Sequence, residues 1–209
     1  MSKVRVANFT VSLDGFGSGP NQRLDAPFGD RAGNLHEWME IAMADRDNGV
    51  DNPAVGQLTR FEDGVGATIM GRNMFGPQRG AWADESWHGW WGENPPYHHP
   101  AFVLTHHLRP ALKMEGGTTF HFTDEPIEVV LERAREVAEG KDVVIAGGAS
   151  TVRQYLRAGL IDEIDMFIAP VFTGGGERLF DETVADAMQE FAVTSTVNVP
   201  KGTLIKLRR

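Results

Sequence analysis

The stretch Asp142-Val143-Val144-Ile145-Ala146-Gly147-Gly148-Ala149-Ser150-Thr151 carries the clearest structural signal in the chain. A short apolar run ends in two glycines and an amphipathic segment follows, which predicts a buried strand, a tight turn and the N-terminus of a helix. Paired glycines let a backbone approach a ligand closely, and the free N–H groups of a helix N-terminus favour an anion. The stretch alone leaves two interpretations open: a turn that holds the pyrophosphate of a nucleotide, or an ordinary strand-to-helix connection.

The composition around this stretch is typical of one globular domain. The chain has 209 residues, 41% of them hydrophobic and 23% charged, and we expect residues 1–209 to form a single domain. Neither a long apolar run nor a secretory segment is evident, so the sequence predicts a cytoplasmic protein without membrane contact. The net charge of −9 argues against a nucleic-acid partner.

The sequence also argues against a metal site. There are no cysteines, which excludes disulfides and thiolate ligands. The pairs His98-His99 and His106-His107 are adjacent in sequence, and neighbouring side chains on an extended chain point in opposite directions. Neither pair therefore forms a ready chelate.

Apolar runs alternate with amphipathic segments along the whole chain. Strands are predicted at residues 4–13, 67–70, 101–104, 119–122, 142–146, 163–169, 191–197 and 203–207. Helices are predicted from an Asn34 cap to about Asp45, at 54–63, from an Asp124 cap to Gly140, and at 150–158. This order predicts a mainly parallel α/β sheet with helices on both faces. The last two strands form an antiparallel hairpin at Pro200-Lys201-Gly202.

Residues 81–100 form an unusual segment that holds four of the five tryptophans together with prolines and histidines. Its irregular pattern predicts a long loop, which would be either a lid over a site or part of a dimer interface. For Trp90 and Trp91 we favour the interface.

Four of the apolar runs end in polar or glycine residues. These ends are Ser12-Leu13-Asp14-Gly15, Gly71-Arg72-Asn73, Thr105-His106-His107 and Gly147-Gly148-Ala149. In open α/β sheets a ligand binds outside the carboxyl ends of the strands. The sequence therefore predicts that these four turns form one site.

Together these motifs resemble the dihydrofolate-reductase-like superfamily. The chain is most similar to the reductase domain of the bifunctional riboflavin-biosynthesis deaminase-reductase and to its stand-alone relatives. The motifs Val103-Leu104-Thr105 and Ala169-Pro170-Val171 and the run 174–180 extend the resemblance over nearly the whole chain. It implies a three-layer fold and an NADPH-dependent reductase, usually a homodimer, with the cofactor laid across the strand ends.

The resemblance also implies which residues hold the cofactor. Gly71 and Arg72, followed by Asn73, match the turn at the adenosine 2′-phosphate and the pyrophosphate. Thr105, preceded by Leu104 and followed by His106, matches a second turn at the 2′-phosphate. The pyrophosphate turn corresponds to Ala146, Gly147, Gly148, Ala149, Ser150 and Thr151.

The residue types agree with a phosphorylated cofactor on chemical grounds. A guanidinium such as that of Arg72 forms bidentate bonds to phosphate, and a hydroxyl such as that of Thr105 adds a donor. An acidic residue reaching the ribose 2′-hydroxyl would favour NAD, and none is present at these two positions. NADPH is therefore the expected cofactor.

Asp14 is the candidate catalytic residue, as a polar contact or proton source near the nicotinamide. The alternative is that its carboxylate only stabilises the Asp14-Gly15 turn. Dihydrofolate reductases carry a carboxylate on the first helix, but Glu37 and Glu40 do not reproduce that motif.

The substrate side departs from the riboflavin-pathway reductase. That domain has a lysine soon after the Asp-Gly motif, where this chain has Phe16 and Gly17. A ribose phosphate would need basic residues, for which Arg23, Arg31 and Arg79 are candidates. We expect a reductase of a small heterocyclic substrate that resembles 5-amino-6-(5-phosphoribosylamino)uracil reductase. A pterin-type reductase and a non-catalytic NADPH-binding protein remain the alternatives.

Overall fold

The computed structural model describes residues 2–60, 63–185 and 190–209. The strands within these residues are β1 (Val4–Ser12), β2 (Phe16–Ser18), β3 (Val65–Gly71), β4 (Pro100–Leu104), β5 (Leu112–Lys113), β6 (Thr119–Thr123), β7 (Asp142–Gly147), β8 (Glu163–Ala169), β9 (Glu177–Arg178), β10 (Ala192–Val199) and β11 (Gly202–Arg208). The helices are α1 (Glu37–Asn48), α2 (Val55–Arg60), α3 (Arg72–Phe75), α4 (Ile127–Val137), α5 (Ala149–Arg157) and α6 (Glu182–Ala185), with a 3₁₀ turn at Glu115–Gly117.

Nine of the described strands form the central sheet, in the order β10-β11-β8-β1-β7-β3-β4-β6-β5. The six strands from β8 to β6 are parallel to one another. The hairpin of β10 and β11 pairs antiparallel with β8, and β5 pairs antiparallel with β6. The predicted mainly parallel sheet with a terminal antiparallel hairpin is confirmed.

Helices cover both faces of this sheet. On one face, α4 and α5 pack Val130, Leu131 and Tyr155 into a core that includes Ile145 of β7. The adjacent residue Val144 points to the other face, as side chains alternate along a strand. On that second face α1 buries Trp38, whose ring stacks on Phe167 at 3.5 Å between centroids.

Two predicted helix caps were wrong. Asn34 does not cap α1, which begins at Glu37 after His36 and ends at Asn48, three residues beyond the predicted end. Asp124 does not cap α4, since Pro126 occupies the cap position and no side chain bonds the first turn. Proline keeps an extended conformation there, so the helix starts directly after it. The start of the 150–158 helix also shifts, to Ala149.

Other boundaries differ less. The helix predicted at 54–63 is α2, and the part of that prediction at residues 61–62 lies outside the described residues. The sequence missed β5 and the small two-stranded sheet of β2 and β9, which are only two or three residues long. In the described part of the chain no helix is long and apolar enough to cross a membrane.

The tryptophan-rich segment is a loop, as predicted, but it packs on the sheet as a substitute for a helix. The Trp87 indole N–H donates to the Phe75 carbonyl at 3.1 Å. Trp91 stacks on Phe120 and meets Tyr97 edge-on, with centroids 6.0 and 5.1 Å apart. The loop thus covers the face of β3, β4 and β6 with aromatic rings. Contact of Trp90 or Trp91 with a second copy stays a prediction.

We expect the fold to lose stability in mild acid through His99. Its Nε2 lies 2.8 Å from the hydroxyl of the buried Thr68, and burial lowers the pKa of His99 from 6.5 to about 4. The unfolded chain binds a proton near pH 6.5 but the folded chain only near pH 4, so the free energy of unfolding falls as pH decreases across this window. The loss from His99 should be about 1–2 kcal/mol, allowing for its partial exposure.

Urea unfolding of the wild type and of His99→Gln at a series of pH values measures this contribution. The glutamine variant should lose less stability between pH 6.5 and 4, because its amide does not titrate. His106→Gln is the matched control, since His106 is exposed and should leave the pH profile unchanged. Identical profiles for the wild type and His99→Gln would contradict the assignment.

Candidate functional site

The four predicted turns lie side by side at one edge of the sheet. They follow β1, β7, β3 and β4, which are adjacent and parallel, so their carboxyl ends point the same way. The register pairs Met70 with Gly147 and Gly71 with Leu104. Three strand spacings place the outer turns about 14 Å apart. An extended ligand can therefore contact all four turns.

The double glycine forms an open turn at the start of α5. Gly147 has a φ of 128°, and a Cβ there would lie 3.2 Å from the Phe9 ring, so only glycine suits the position. The Gly147–Gly148 peptide bond is cis. At Gly148, by contrast, no atom lies within 4 Å of the place where a Cβ would stand. The turn thus has a packed side towards the sheet and an open side above Gly148.

The first turn of α5 presents unpaired backbone donors beside that opening. No side chain caps the helix, and in the described chain no acceptor bonds the N–H groups of Ala149, Ser150 or Thr151. The Ser150 side chain is exposed as well. These donors and the positive end of the helix dipole suit a phosphate group.

Gly71 brings the end of β3 against this same helix turn. A Cβ on Gly71 would collide with the hydroxyl oxygen of Thr151, which is itself buried. The absence of a side chain therefore lets β3 and α5 approach each other. Arg72 follows at once and begins α3.

Arg72 is held in place by an aromatic ring. Its Cζ lies 3.8 Å from the centroid of the Trp82 ring, and its Nη1 donates to the Gly80 carbonyl. The Nε and Nη2 atoms are buried and have no hydrogen-bond partner among the described residues. Burial, followed by repulsion from Arg79 and Arg109, lowers the pKa of Arg72. Two orphaned donors on a cation are the arrangement that an anion would complete.

Arg109, which the sequence analysis missed, belongs to the same group. Its guanidinium also lies over the Trp82 ring, at 4.9 Å, and its Nε is buried without a partner in the described chain. Within the described residues no carboxylate comes within 4.0 Å of Arg72, Arg79 or Arg109. The available signal was its place in the loop after β4, shared with Thr105.

The turn after β4 is connected to Arg72 through Trp82. Thr105 is buried, and its hydroxyl accepts the N–H of His107 at 3.1 Å. The carbonyl of His107 in turn accepts the Trp82 indole N–H at 2.7 Å. Leu104 lies beside Gly71 in the strand register. The structure therefore brings Arg72, Thr105 and Gly71 together.

Two predicted cofactor residues make no such contact. The side chains of Asn73 and His106 are exposed and touch no hydrogen-bonding partner in the part of the chain that the structure describes. They flank the site at the ends of β3 and β4. Ala146 is buried within β7 and contributes its backbone to the turn.

Asp14 lies at the other end of the row, and its carboxylate is heavily hydrogen-bonded. It accepts the Ser12 hydroxyl at 2.6 Å and the backbone N–H groups of Thr173 and Gly174 at 3.2 and 2.7 Å. Desolvation alone would raise the pKa of Asp14, but these hydrogen bonds outweigh it and lower the pKa. The carboxylate is ionised at neutral pH and ties the turn after β1 to the glycine-rich loop after β8.

The candidate basic residues of the substrate side separate in the structure. Arg23 is paired with Asp25 and Asp30 at 3.0 and 2.6 Å, so its charge is already neutralised. Arg79 bonds the carbonyl of Pro77 at 3.0 Å and lies with the Arg72 group. Only Arg31 lies on the Asp14 side, 3.4 Å from the position of a Cβ on Gly174.

The remaining candidate residues are the acidic side chains of α1 and the histidines. Glu37 pairs with Lys201 at 3.3 Å, and Glu40 is exposed. Among the described residues no three histidine or acidic side chains are grouped so that they could hold a metal ion. The chemistry of this edge is therefore that of arginine, backbone N–H groups and one ionised carboxylate.

Comparison with solved structures agrees with the fold. A protein from Shewanella sp. PV-4, provisionally described as a riboflavin biosynthesis protein, superposes with a TM-score of 0.59 at 22% identity over 99% of this chain and 97% of its own. A pyrimidine reductase-like protein from Corynebacterium diphtheriae gives 0.56 at 14% identity, over 99% and 91% of the two chains.

The third structure is a bifunctional deaminase and 5-amino-6-(5-phosphoribosylamino)uracil reductase from Thermotoga maritima. It superposes with a TM-score of 0.56 at 12% identity, and the match covers 98% of this chain but 55% of that one. At such identities these similarities establish the fold alone. No curated protein sequence gives a match.

The family comparison goes further than the fold. The profile of the RibD C-terminal domain matches residues 3–205. The match spans all four strand-end turns and the terminal hairpin, far more than half of the chain. The protein therefore belongs to the RibD C-terminal domain family and is a RibD-like reductase.

Proposed function

We propose that the protein is an NADPH-dependent reductase of a small heterocyclic substrate. The observation that supports this most is Arg72, whose two buried donors lack partners within a group of arginines and beside an open glycine turn. A cofactor with a 2′-phosphate at the β3–β4 end and a pyrophosphate over Gly148 would complete both features. NADPH then supplies the hydride.

Different residues of the chain would bind different parts of this cofactor. Arg72, with Thr105 in the neighbouring turn, would bind the 2′-phosphate. The N–H groups of Ala149, Ser150 and Thr151 would orient the pyrophosphate. The nicotinamide would then extend along the row of strand ends towards Asp14, where the substrate must bind. Asp14 holds the loop at that end in place, which positions the reacting groups.

The substrate that fits the family best is a ribosylaminopyrimidine like that of 5-amino-6-(5-phosphoribosylamino)uracil reductase. Of the three candidate arginines, Arg31 is the one available to its phosphate group, because Arg23 is already neutralised by carboxylates and Arg79 lies with Arg72. A pterin substrate has less support, since Glu37 on α1 is paired with Lys201. Incubating the protein with NADPH and each substrate class, and following the loss of absorbance at the reduced nicotinamide band, separates the two.

We also propose that the protein is a homodimer. Leu13 and Phe172 lie on adjoining turns, where the Leu13 N–H donates to the Val171 carbonyl at 2.9 Å, and they leave 53% and 71% of their surface exposed. Neighbouring exposed apolar side chains of this size are typical of an interface with a second copy. Light scattering coupled to size-exclusion chromatography should give twice the mass of one chain. Phe172→Ser should shift the equilibrium towards the monomer, and a wild-type monomer at all concentrations would contradict the proposal.

Replacing Arg72 tests the cofactor. Arg72→Ala should weaken NADPH binding by about 1.5–3 kcal/mol, because a charged hydrogen bond to phosphate is lost. NADH binding should change little, since NADH lacks the 2′-phosphate. Fluorescence titration with both nucleotides measures the two affinities, and Arg46→Ala on the exposed part of α1 is the control. Equal losses for both nucleotides would show that Arg72 does not read the 2′-phosphate.

Replacing Asp14 tests whether it is a proton source or a structural carboxylate. Asp14→Asn should reduce the free energy of unfolding by about 1–2 kcal/mol, because an amide cannot accept all three hydrogen bonds. Turnover should fall with a raised KM as the loop loosens. Asp25→Asn, at an exposed ion pair, is the control. Full stability combined with a lost kcat would instead show that the Asp14 carboxylate acts on the reacting groups.

A further inference from the structure

The ring of Trp82 lies under two guanidinium groups, those of Arg72 and Arg109, at 3.8 and 4.9 Å from its centroid. We call these three residues the Trp82 cluster. The Trp82 ring also meets Phe75 and Phe122 edge-on, with centroids 6.0 and 5.4 Å apart. Its indole N–H donates to the His107 carbonyl. The cluster thus joins the turns after β3 and β4.

The two cations of the cluster are incompletely satisfied. Arg72 has two buried nitrogens without partners in the described chain, and Arg109 has one. The Nη1 and Nη2 atoms of Arg109 donate to the carbonyls of Trp87 and Glu85. Burial and then mutual repulsion of the arginines lower the pKa of Arg72. No carboxylate of the described residues forms an ion pair with either group, and Glu85 and Asp84 attract Arg109 only from a greater distance. A doubly charged anion with several acceptor oxygens is the ligand that relieves all of these costs.

Trp82 also lies against that anion site. The orphaned nitrogens are almost inaccessible to solvent, and the indole packs on the Arg72 guanidinium. A phosphate that approaches from the side of the indole has to displace the ring. The ring is held by one hydrogen bond and by edge contacts, which a charged ligand can outcompete because cation–π contacts are weaker than charged bonds to phosphate.

We propose that Arg72 and Arg109 form a two-arginine clamp for a phosphomonoester, and that Trp82 closes the clamp when the ligand is absent. The inference rests on the proposed function, in which this phosphomonoester is the 2′-phosphate of the cofactor. It adds Arg109 as a second residue that discriminates between NADPH and NADH. It also gives a reason for two half-buried arginines to share one ring in a chain of net charge −9.

Calorimetric titration with adenosine 2′-monophosphate, with adenosine 5′-monophosphate as the comparison ligand, tests the clamp directly. Arg109→Ala should weaken binding of the 2′-monophosphate and of NADPH by roughly 10- to 100-fold, and leave NADH nearly unchanged. Arg109→Lys keeps the charge but loses the planar guanidinium, so its affinity for these ligands should lie between those of the wild type and Arg109→Ala. Arg133→Ala, which removes a guanidinium over the Phe102 ring on another part of the sheet, is the matched control.

The role of Trp82 is tested with Trp82→Phe and Trp82→Ala. If the ring closes an otherwise competent site, Trp82→Ala should bind the 2′-monophosphate at least as tightly as the wild type. The change in tryptophan fluorescence on binding should be smaller in Trp82→Phe. If Trp82→Ala loses as much affinity for the 2′-monophosphate as Arg109→Ala does, the closing role of Trp82 is overturned. If the ratio of the affinities for NADPH and NADH is unchanged in both Arg109 variants, the clamp is overturned.

The experiments distinguish a failure of the clamp proposal from a failure of the proposed reductase activity. Binding of adenosine 2′-monophosphate that depends on Arg109, without hydride transfer from NADPH to any substrate, supports the clamp and contradicts the proposed function. Turnover of NADPH that is insensitive to Arg109 supports the function and overturns the clamp. Thermal unfolding of each variant shows whether a loss of binding is only a loss of fold.

Discussion

The parallel pairing of β1, β7, β3 and β4 is the constraint on which the candidate site depends. Hydrogen bonds between these strands set their carboxyl ends about 4.8 Å apart in a single row. A shift of one residue in the register would turn each side chain to the opposite face and separate the turns. Gly71 makes the row compact, because any side chain there would push β3 away from the first turn of α5.

Charge is distributed unevenly along this row. At the β3–β4 end, two arginines gather around one indole ring without an ion pair among the described residues, in a chain whose net charge is −9. At the β1 end an ionised carboxylate accepts hydrogen bonds from the N–H groups of another loop. The central turn at Gly148 is open and offers unpaired backbone donors. The proposed cofactor site rests on these three features.

The tryptophan-rich loop links the fold to the site. It covers the face of β3, β4 and β6 where other α/β proteins would place a helix. Because Trp87 and Trp91 anchor the loop by packing on Phe75 and Phe120, Trp82 is delivered to the arginines at the strand ends. A segment that resembles an exposed lid in sequence is therefore part of the core on one side and part of the site on the other.

Strongly local signals were read correctly. The strand β8 was predicted with its observed bounds and the double-glycine turn was placed at the start of a helix, because an apolar run bounded by glycines or charges admits few alternatives. The starts of α1 and α4 were predicted wrongly. His36 and Pro126 occupy the cap positions, and neither residue bonds the helix with its side chain.

Local pattern also predicted the positions of Arg72 and Thr105 directly after buried strands, and their role as cofactor residues stays a prediction. It could not show that Arg109 and Trp82 lie beside Arg72, because this arrangement depends on loops that meet only when β3 and β4 pair. Residue order along the chain thus specified the elements, the glycine turn and the membership of a reductase family. The order of strands in the sheet, the orphaned arginine donors and the ring that covers them arise from contacts between residues distant in the chain, where propensity and periodicity carry no information.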